Sequence, residues 1–149
     1  NQILLRLKAP TALRQQVVAL IDQHMTRLQP EKKLLRRWLS RLGHDTVLAL
    51  LALQEADMGS KGTGIPSKSA PFDEIRTLAA QIQAENACLC MKDLAVNGSD
   101  LITLGFTPGK QLGSCLQALL ELVLDEQLPN DRDALLAAAK HHLSEEDPL

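Results

Sequence analysis

Apolar residues recur along this chain at helical rather than strand spacing, and turn residues punctuate the recurrences. Leu13, Val17, Ile21, Met25 and Leu28 fall on one side of a helix that Thr11 can cap and that extends to about Leu28. Pro30 then opens a second helix, because its missing N–H costs nothing in a first turn; Glu31 complements the dipole there, and Gly43 supplies a left-handed stop after Leu42. Leu34, Leu35, Trp38, Leu39 and Leu42 form the stripe this helix buries. Opposite it, Lys33, Arg37 and Arg41 repeat at i, i+4 and i+8 beside Lys32 and Arg36, which predicts five cations on one exposed surface. A third helix, Asp45 to Met58, is rich in Leu and Ala nearly all round and is expected to be deeply packed.

Between Gly59 and Pro71 the residues turn to Gly, Ser, Pro and Lys with no acid, the composition of a linker or long surface loop, and a domain boundary is expected there. Beyond it, Asp73 can cap a helix with Ile75, Leu78, Ala79 and Ile82 inward, ending near Asn86. Cys88 to Met91 has no clear assignment. Asn97 and Gly98 make a turn, Ser99 can cap a short helix from Asp100 to Leu104, and Gly105 to Gly109 make a second turn. A long helix from Lys110 to about Asp125 follows, with Leu112, Leu116, Leu119, Leu120 and Val123 on one face. After Pro129, Asn130 caps a last helix carrying Leu135, Leu136, Ala139 and Leu143, and the acidic end from Glu145 is expected to fray. No strict alternation lasts a strand's length. The expected fold is therefore all-α: two small helical bundles, residues 1–58 and 72–149, joined by a linker over 59–71.

Composition adds boundaries to this picture. With 149 residues, 45% of them apolar, the chain can bury a core without metal or disulfide staples. No apolar run approaches the roughly 20 residues of a membrane span, and Asn1 to Lys8 lacks the order of a secretion signal, so a cytoplasmic protein is expected. Cys88, Cys90 and Cys115 are an odd set that suits reduced thiols. The first residue is not Met, and Ile3, Leu4, Leu5 and Leu7 read like the middle of an apolar helical face, which suggests a fragment. The net charge of −2 hides an asymmetry: residues 1–42 hold nine Lys and Arg against Asp22 and Glu31, a net of +7, and the remainder carries −9. One end suits a polyanion such as RNA; the other reading is a solvated face balanced by acid elsewhere.

Few residues suggest chemistry. The run GSKGTG, Gly59 to Gly64, lacks the Lys-Ser or Lys-Thr pair and the preceding strand of a phosphate loop. His44 and Asp45 spell the dipeptide of HD phosphohydrolases, with His24 and Asp57 as conceivable remnants of a metal site, but two separated ligands do not make a hydrolytic centre. Cys88 and Cys90 have no cluster to complete a zinc tetrahedron, and His141 and His142 suit a helix C-terminus. Neither a metal ligand nor a catalytic residue is assigned. The segment LAVNGSDLITLGFTPGKQLG, Leu94 to Gly113, differs: it opens a long helix at Lys110, whose free N–H groups, positive dipole end and lysine can meet a phosphate, while Gly109 lets an RNA backbone come close. The alternative is two tight helix connections, with a small Gly113 for close packing; Asp93 and Asp100 weigh against the phosphate.

That segment, with CLCMKDLAVNGSDL before it and LLELVLDEQLPNDRDALLAAA after it, closely resembles the C-terminal part of bacterial tRNA nucleotidyltransferases, the CCA-adding enzymes of the class shared with bacterial poly(A) polymerases. Upstream, LIDQHM, KKLLRRWLSRLG and LLALQEADMGSKG resemble the helical segments that precede that part. The resemblance implies the later half of an HD-like body over residues 1–58 and a tail over 72–149. It also implies an absent N-terminal head carrying a Gly-Ser and paired-Asp catalytic motif, with Mg2+, CTP and ATP bound only there. Such bodies and tails grip the acceptor and elbow of tRNA through shape and backbone. Two Phe, one Trp and no Tyr argue likewise against a base-stacking module. The residues nominated for RNA contact are Lys32, Lys33, Arg36, Arg37, Arg41, Gly109 and Lys110. Alternatives are the same region of a poly(A) polymerase, a degenerate HD-type phosphohydrolase and a helical protein-interaction module; an oligomer stays open.

Overall fold

The computed structural model describes residues 2–60, 70–85 and 87–146, with side chains described up to 143 and from 71 after the gap. Among the described residues every regular element is helical, in agreement with the expected class. None of these helices is long and apolar enough to cross a membrane. The chain divides into two compact units, 1–84 and 85–149. The boundary thus differs from the expected one. Most of the expected linker, and the expected helix end at Asn86, lie outside the described residues.

The first unit holds α1 (Gln2–Arg6), α2 (Thr11–Gln23), α3 (Lys32–Leu42), α4 (His44–Ser60) and α5 (Ala70–Ala84). α4 packs against α2 and α3, and α5 against α3 and α4. The core is Leu28, Leu35 and Leu39 with Val47, Leu50 and Leu51 of α4 and Phe72, Ile75, Ala79 and Ile82 of α5. α5 belongs here because its stripe at 72, 75, 79 and 82 finds an apolar partner in α3 and α4, a choice its own periodicity does not reveal. Gly43, at φ +78, ends α3 and returns its N–H to the Leu39 carbonyl at 2.9 Å, and α4 starts at the next residue. The buried amide of Gln54 is satisfied by the Thr26 carbonyl at 2.6 Å, which ties α4 to the segment after α2. Arg76 of α5 pairs with Glu55 of α4 and with Asp73 one turn away.

Three expectations change here. α2 stops at Gln23 rather than Leu28, Thr11 makes no capping bond, and the predicted inner stripe is largely outside: Leu13, Ile21 and Met25 are 45, 62 and 80% exposed. Pro30 lies before α3, whose cap position is an extended Glu31, and of the predicted α3 stripe only Leu35 and Leu39 are buried. α4 buries one face, against α2, α3 and α5, and leaves Leu53 and Met58 exposed.

The second unit holds a 3-10 turn (Met91–Asp93), α6 (Gly98–Thr103), α7 (Lys110–Leu124) and α8 (Arg132–Glu146) around Val96, Leu101, Phe106, Cys115, Leu119, Leu120, Val123, Leu135 and Ala139. Hydrogen-bonded caps carry much of its definition. Asn97, not Ser99, caps α6: its Oδ1 accepts from the Ser99 and Asp100 amides, and Asp100 Oδ2 accepts from the Asn97 amide at 2.9 Å. Asp131, not Asn130, caps α8, accepting from the Asp133 and Ala134 amides at 3.1 Å. Asn130 instead bridges segments: its Nδ2 donates to the Asp93 carbonyl and its Oδ1 accepts from the Ala95 amide, both at 2.8 Å. Local spacing nominates any Asn, Asp or Ser near a helix start; which one caps depends on where the chain enters.

Asn97→Ala is therefore expected to destabilise the second unit by about 1 kcal/mol, whereas Ser99→Ala changes it by less than about 0.5 kcal/mol. Native-state amide exchange of α6 and α7 measures both.

Candidate nucleic-acid interface

Lys32, Lys33, Arg36, Arg37 and Arg41 share α3, but they do not form one exposed surface. At roughly 100° per residue these positions spread over about half the helix circumference. Lys32 and Arg36 flank Leu35 and Leu39 at helical spacing, so packing of that stripe covers part of them. Lys32, Lys33 and Arg36 are half-buried, and Arg37 and Arg41 are exposed. Lys32, Lys33, Arg36 and Arg37 also take part in interactions within the chain.

Arg41, at the C-terminal end of α3, faces a different neighbourhood. It lines a cleft of about 440 Å3 with Arg14, Thr11 and Gln15 of α2. One terminal nitrogen of Arg14 donates to Thr11 Oγ1 at 2.8 Å, and its Nε is buried with no hydrogen-bond acceptor among the described residues. Sequence reasoning counted Arg14 within the basic end without nominating it. The available signal was the second face of α2, where Thr11, Arg14, Gln15, Val18 and Asp22 recur at helical spacing.

Gly109 and Lys110 lie together at the start of α7 in the second unit. Gly109 adopts φ +132, which side-chain-bearing residues rarely adopt, and a Cβ there would meet nothing within 4 Å, so backbone approach is open. No side chain caps α7, and Lys110 is exposed. Gln111 Oε1 accepts from the Thr107 hydroxyl at 2.9 Å and bridges the turn to the helix. Gly113 faces open space and serves no close packing; it is Gly98 whose Cβ would press on Leu112, at 3.3 Å. Asp93 and Asp100, the acids weighed against a phosphate, are both engaged. Asp93 is held below the usual carboxylate range by the Cys90 thiol and the Leu89 and Cys90 amides, and Asp100 by the Arg132 guanidinium and the Asn97 amide.

His24 and Asp57 line one cleft of about 330 Å3 between α2 and α4, among Val17, Leu20 and Leu53, and His24 Nδ1 sits 2.6 Å from the Ile21 carbonyl. His44 and Asp45 are 3.8 Å apart at the start of α4, with Asp45 almost fully exposed. Among the described residues, no group of three His, Cys, Asp or Glu is placed to hold a metal ion. Cys88 and Cys115 are buried and Cys90 is exposed.

These helices can be set beside known proteins. The family model for tRNA nucleotidyltransferase domain 2 matches residues 1–139. The chain belongs to that family. Among curated relatives of this family member are CCA-adding enzymes of lactobacilli. That of Latilactobacillus sakei is 50% identical over 48 residues, 32% of this chain and 12% of the relative. That of Limosilactobacillus fermentum is 43% identical over 61 residues, 39% and 15% of the two chains, and that of Levilactobacillus brevis 44% identical over 66 residues, 44% and 16%. The matched segments are thus a small part of each relative's length. No solved structure matches.

Asp100 predicts a pH effect. Its folded pKa is depressed, so its contribution is complete above the ordinary carboxylate value of about 3.9 and is lost as pH falls through the lowered folded value. Melting of the second unit, followed between about pH 5 and pH 2, is expected to weaken with acid less steeply in Asp100→Asn than in the parent.

Proposed function

We propose that this chain holds tRNA by its sugar–phosphate backbone and presents the 3′ end for CCA addition by a catalytic head elsewhere in the same protein. The family match over residues 1–139 carries this reading. It is supported by the cationic end of the first unit and by the lack of aromatic residues for base stacking, a combination that suits sequence-independent contact. Lys32, Lys33, Arg36, Arg37 and Arg41 are the primary contacts, and Gly109 with Lys110 offers a second at the start of α7. The first unit is the later half of an HD-like body and the second a tail. The residues reach catalysis through orientation of the substrate alone. Nothing in the sequence matches the head's Gly-Ser and paired-Asp motif, and Mg2+, CTP and ATP are assigned to the head. The same region of a poly(A) polymerase would hold its RNA in the same way.

One observation favours a second reading, a degenerate HD-type hydrolase: His24 and Asp57 share a cleft. Metal analysis of purified protein, with and without His24→Ala, tests it, and stoichiometric metal that disappears in the variant would favour it.

tRNA affinity measured across a salt series tests the main reading. Binding should weaken steeply with salt, and Lys33, Arg37 and Arg41 changed together to Ala should flatten the log–log slope by on the order of 0.9 for each phosphate no longer neutralised. Binding equal in parent and folded variant, checked by circular dichroism, would remove RNA from α3.

A further inference from the structure

We propose that the cleft between α2 and the C-terminal end of α3 is a phosphate-binding site, in which Arg14 and Arg41 together hold one phosphodiester of a bound RNA. The assignment to RNA rests on the preceding reading; the oxyanion site itself rests on geometry alone.

Two guanidinium side chains from different helices line one open cleft, with the Thr11 hydroxyl and the Gln15 amide beside them. Guanidinium is the side chain best matched to phosphate, since its planar fork donates two parallel bonds to two oxygens. The Arg14 fork is already held: its bond to Thr11 Oγ1 removes freedom that a ligand would otherwise have to remove. Its Nε is buried without an acceptor among the described residues, and a buried donor left unsatisfied is destabilising by more than an ordinary hydrogen bond contributes. An oxyanion in the cleft would supply that acceptor once the Arg14 side chain turns to bare its Nε. No hydrogen bond or ion pair engages Arg41 among the described residues, so its charge is available at the cleft's other wall. Asp22 also lines the cleft and opposes an anion, which makes it a useful reporter. At about 440 Å3 the cleft falls within the range of small-ligand clefts, roughly 300–1,000 Å3, and has room for a phosphate with its adjoining ribose. The site places the firmest RNA contact at the end of α3, on two helices, rather than along the whole cationic row.

The first probe is inorganic phosphate, titrated into the full chain while the arginine Nε resonances are followed by NMR. Arg14 and Arg41 are expected to shift together along one isotherm, while Arg76 and Arg132, engaged by carboxylates, stay in place. Arg41→Ala should abolish the Arg14 shift, and Asp22→Asn should tighten phosphate several-fold, a gain that a damaged fold does not produce. Uniform shifts over all arginines, no shift, or indifference to Asp22→Asn would overturn the site. The second probe is tRNA competing with phosphate at Arg14. Displacement, with a roughly ten-fold loss of tRNA affinity in Arg14→Ala, supports a phosphodiester occupant. tRNA that binds while phosphate remains on Arg14 overturns that occupant. Phosphate binding with no tRNA binding at all would uphold the oxyanion site and reject the RNA-holding function.

Discussion

A helix as short and as cationic as Lys32–Leu42 persists because Leu35 and Leu39 are removed from water against α4 and α5. Eleven residues are marginal as an isolated helix, and five like charges on them repel. Burial of one leucine contributes about 1.5–3 kcal/mol, so two such residues can offset both costs. The rest of the first unit follows from that burial. α5 completes the pocket that receives α3, the Glu55–Arg76 pair joins α4 to α5, and the single residue Gly43 sets α4 directly after α3. Once the leucines point inward, the cations have only the remaining arc. Those beside the stripe are partly covered, and Arg41, at the free end, turns toward α2.

The second unit solves a different problem. Its helices start after turns, and each start leaves backbone N–H groups that need acceptors. Asn97 with Asp100, and Asp131, provide them for α6 and α8. Asn130 joins the segment before α6 to the link between α7 and α8, and Arg132 bonds Asp100 across the same region at 2.7 Å. α7 is the exception: Gly109 leaves its first turn without a side-chain cap. That start is left open in a unit that otherwise caps its helices with side chains.

Much of this was legible in the residues. The class, the limits of α7 and the core positions Leu119, Leu120, Val123, Leu135 and Ala139 follow from spacing, because an amphipathic helix that meets one partner buries the face its pattern displays. The errors share one cause. α2 buries no residue fully: Leu13, Ile21 and Met25 of its predicted stripe stay exposed, and Val17 and Ile21 only line a cleft with Leu53 of α4, because a pattern of apolar positions does not say how closely a partner helix approaches. α4 reads as buried all round because hydrophobicity reports what a helix tolerates, while its neighbours decide what is covered. Arg14 is not singled out by its own neighbours for the same reason: the arginine that shares its cleft lies 27 positions away on another helix.

By itself the sequence determined that the chain is helical, where most helices begin and end, that its positive charge is concentrated in the first 42 residues, and to which family it belongs. These properties are set by neighbours within a few turns, or by residue identity, and need no tertiary contact. Only the tertiary structure decided which unit claims α5, which cations are covered, which Asn or Asp caps a helix, and that Arg14 and Arg41 line one cleft. Each of these depends on how one helix lies against another, and helical periodicity specifies a face without naming its partner.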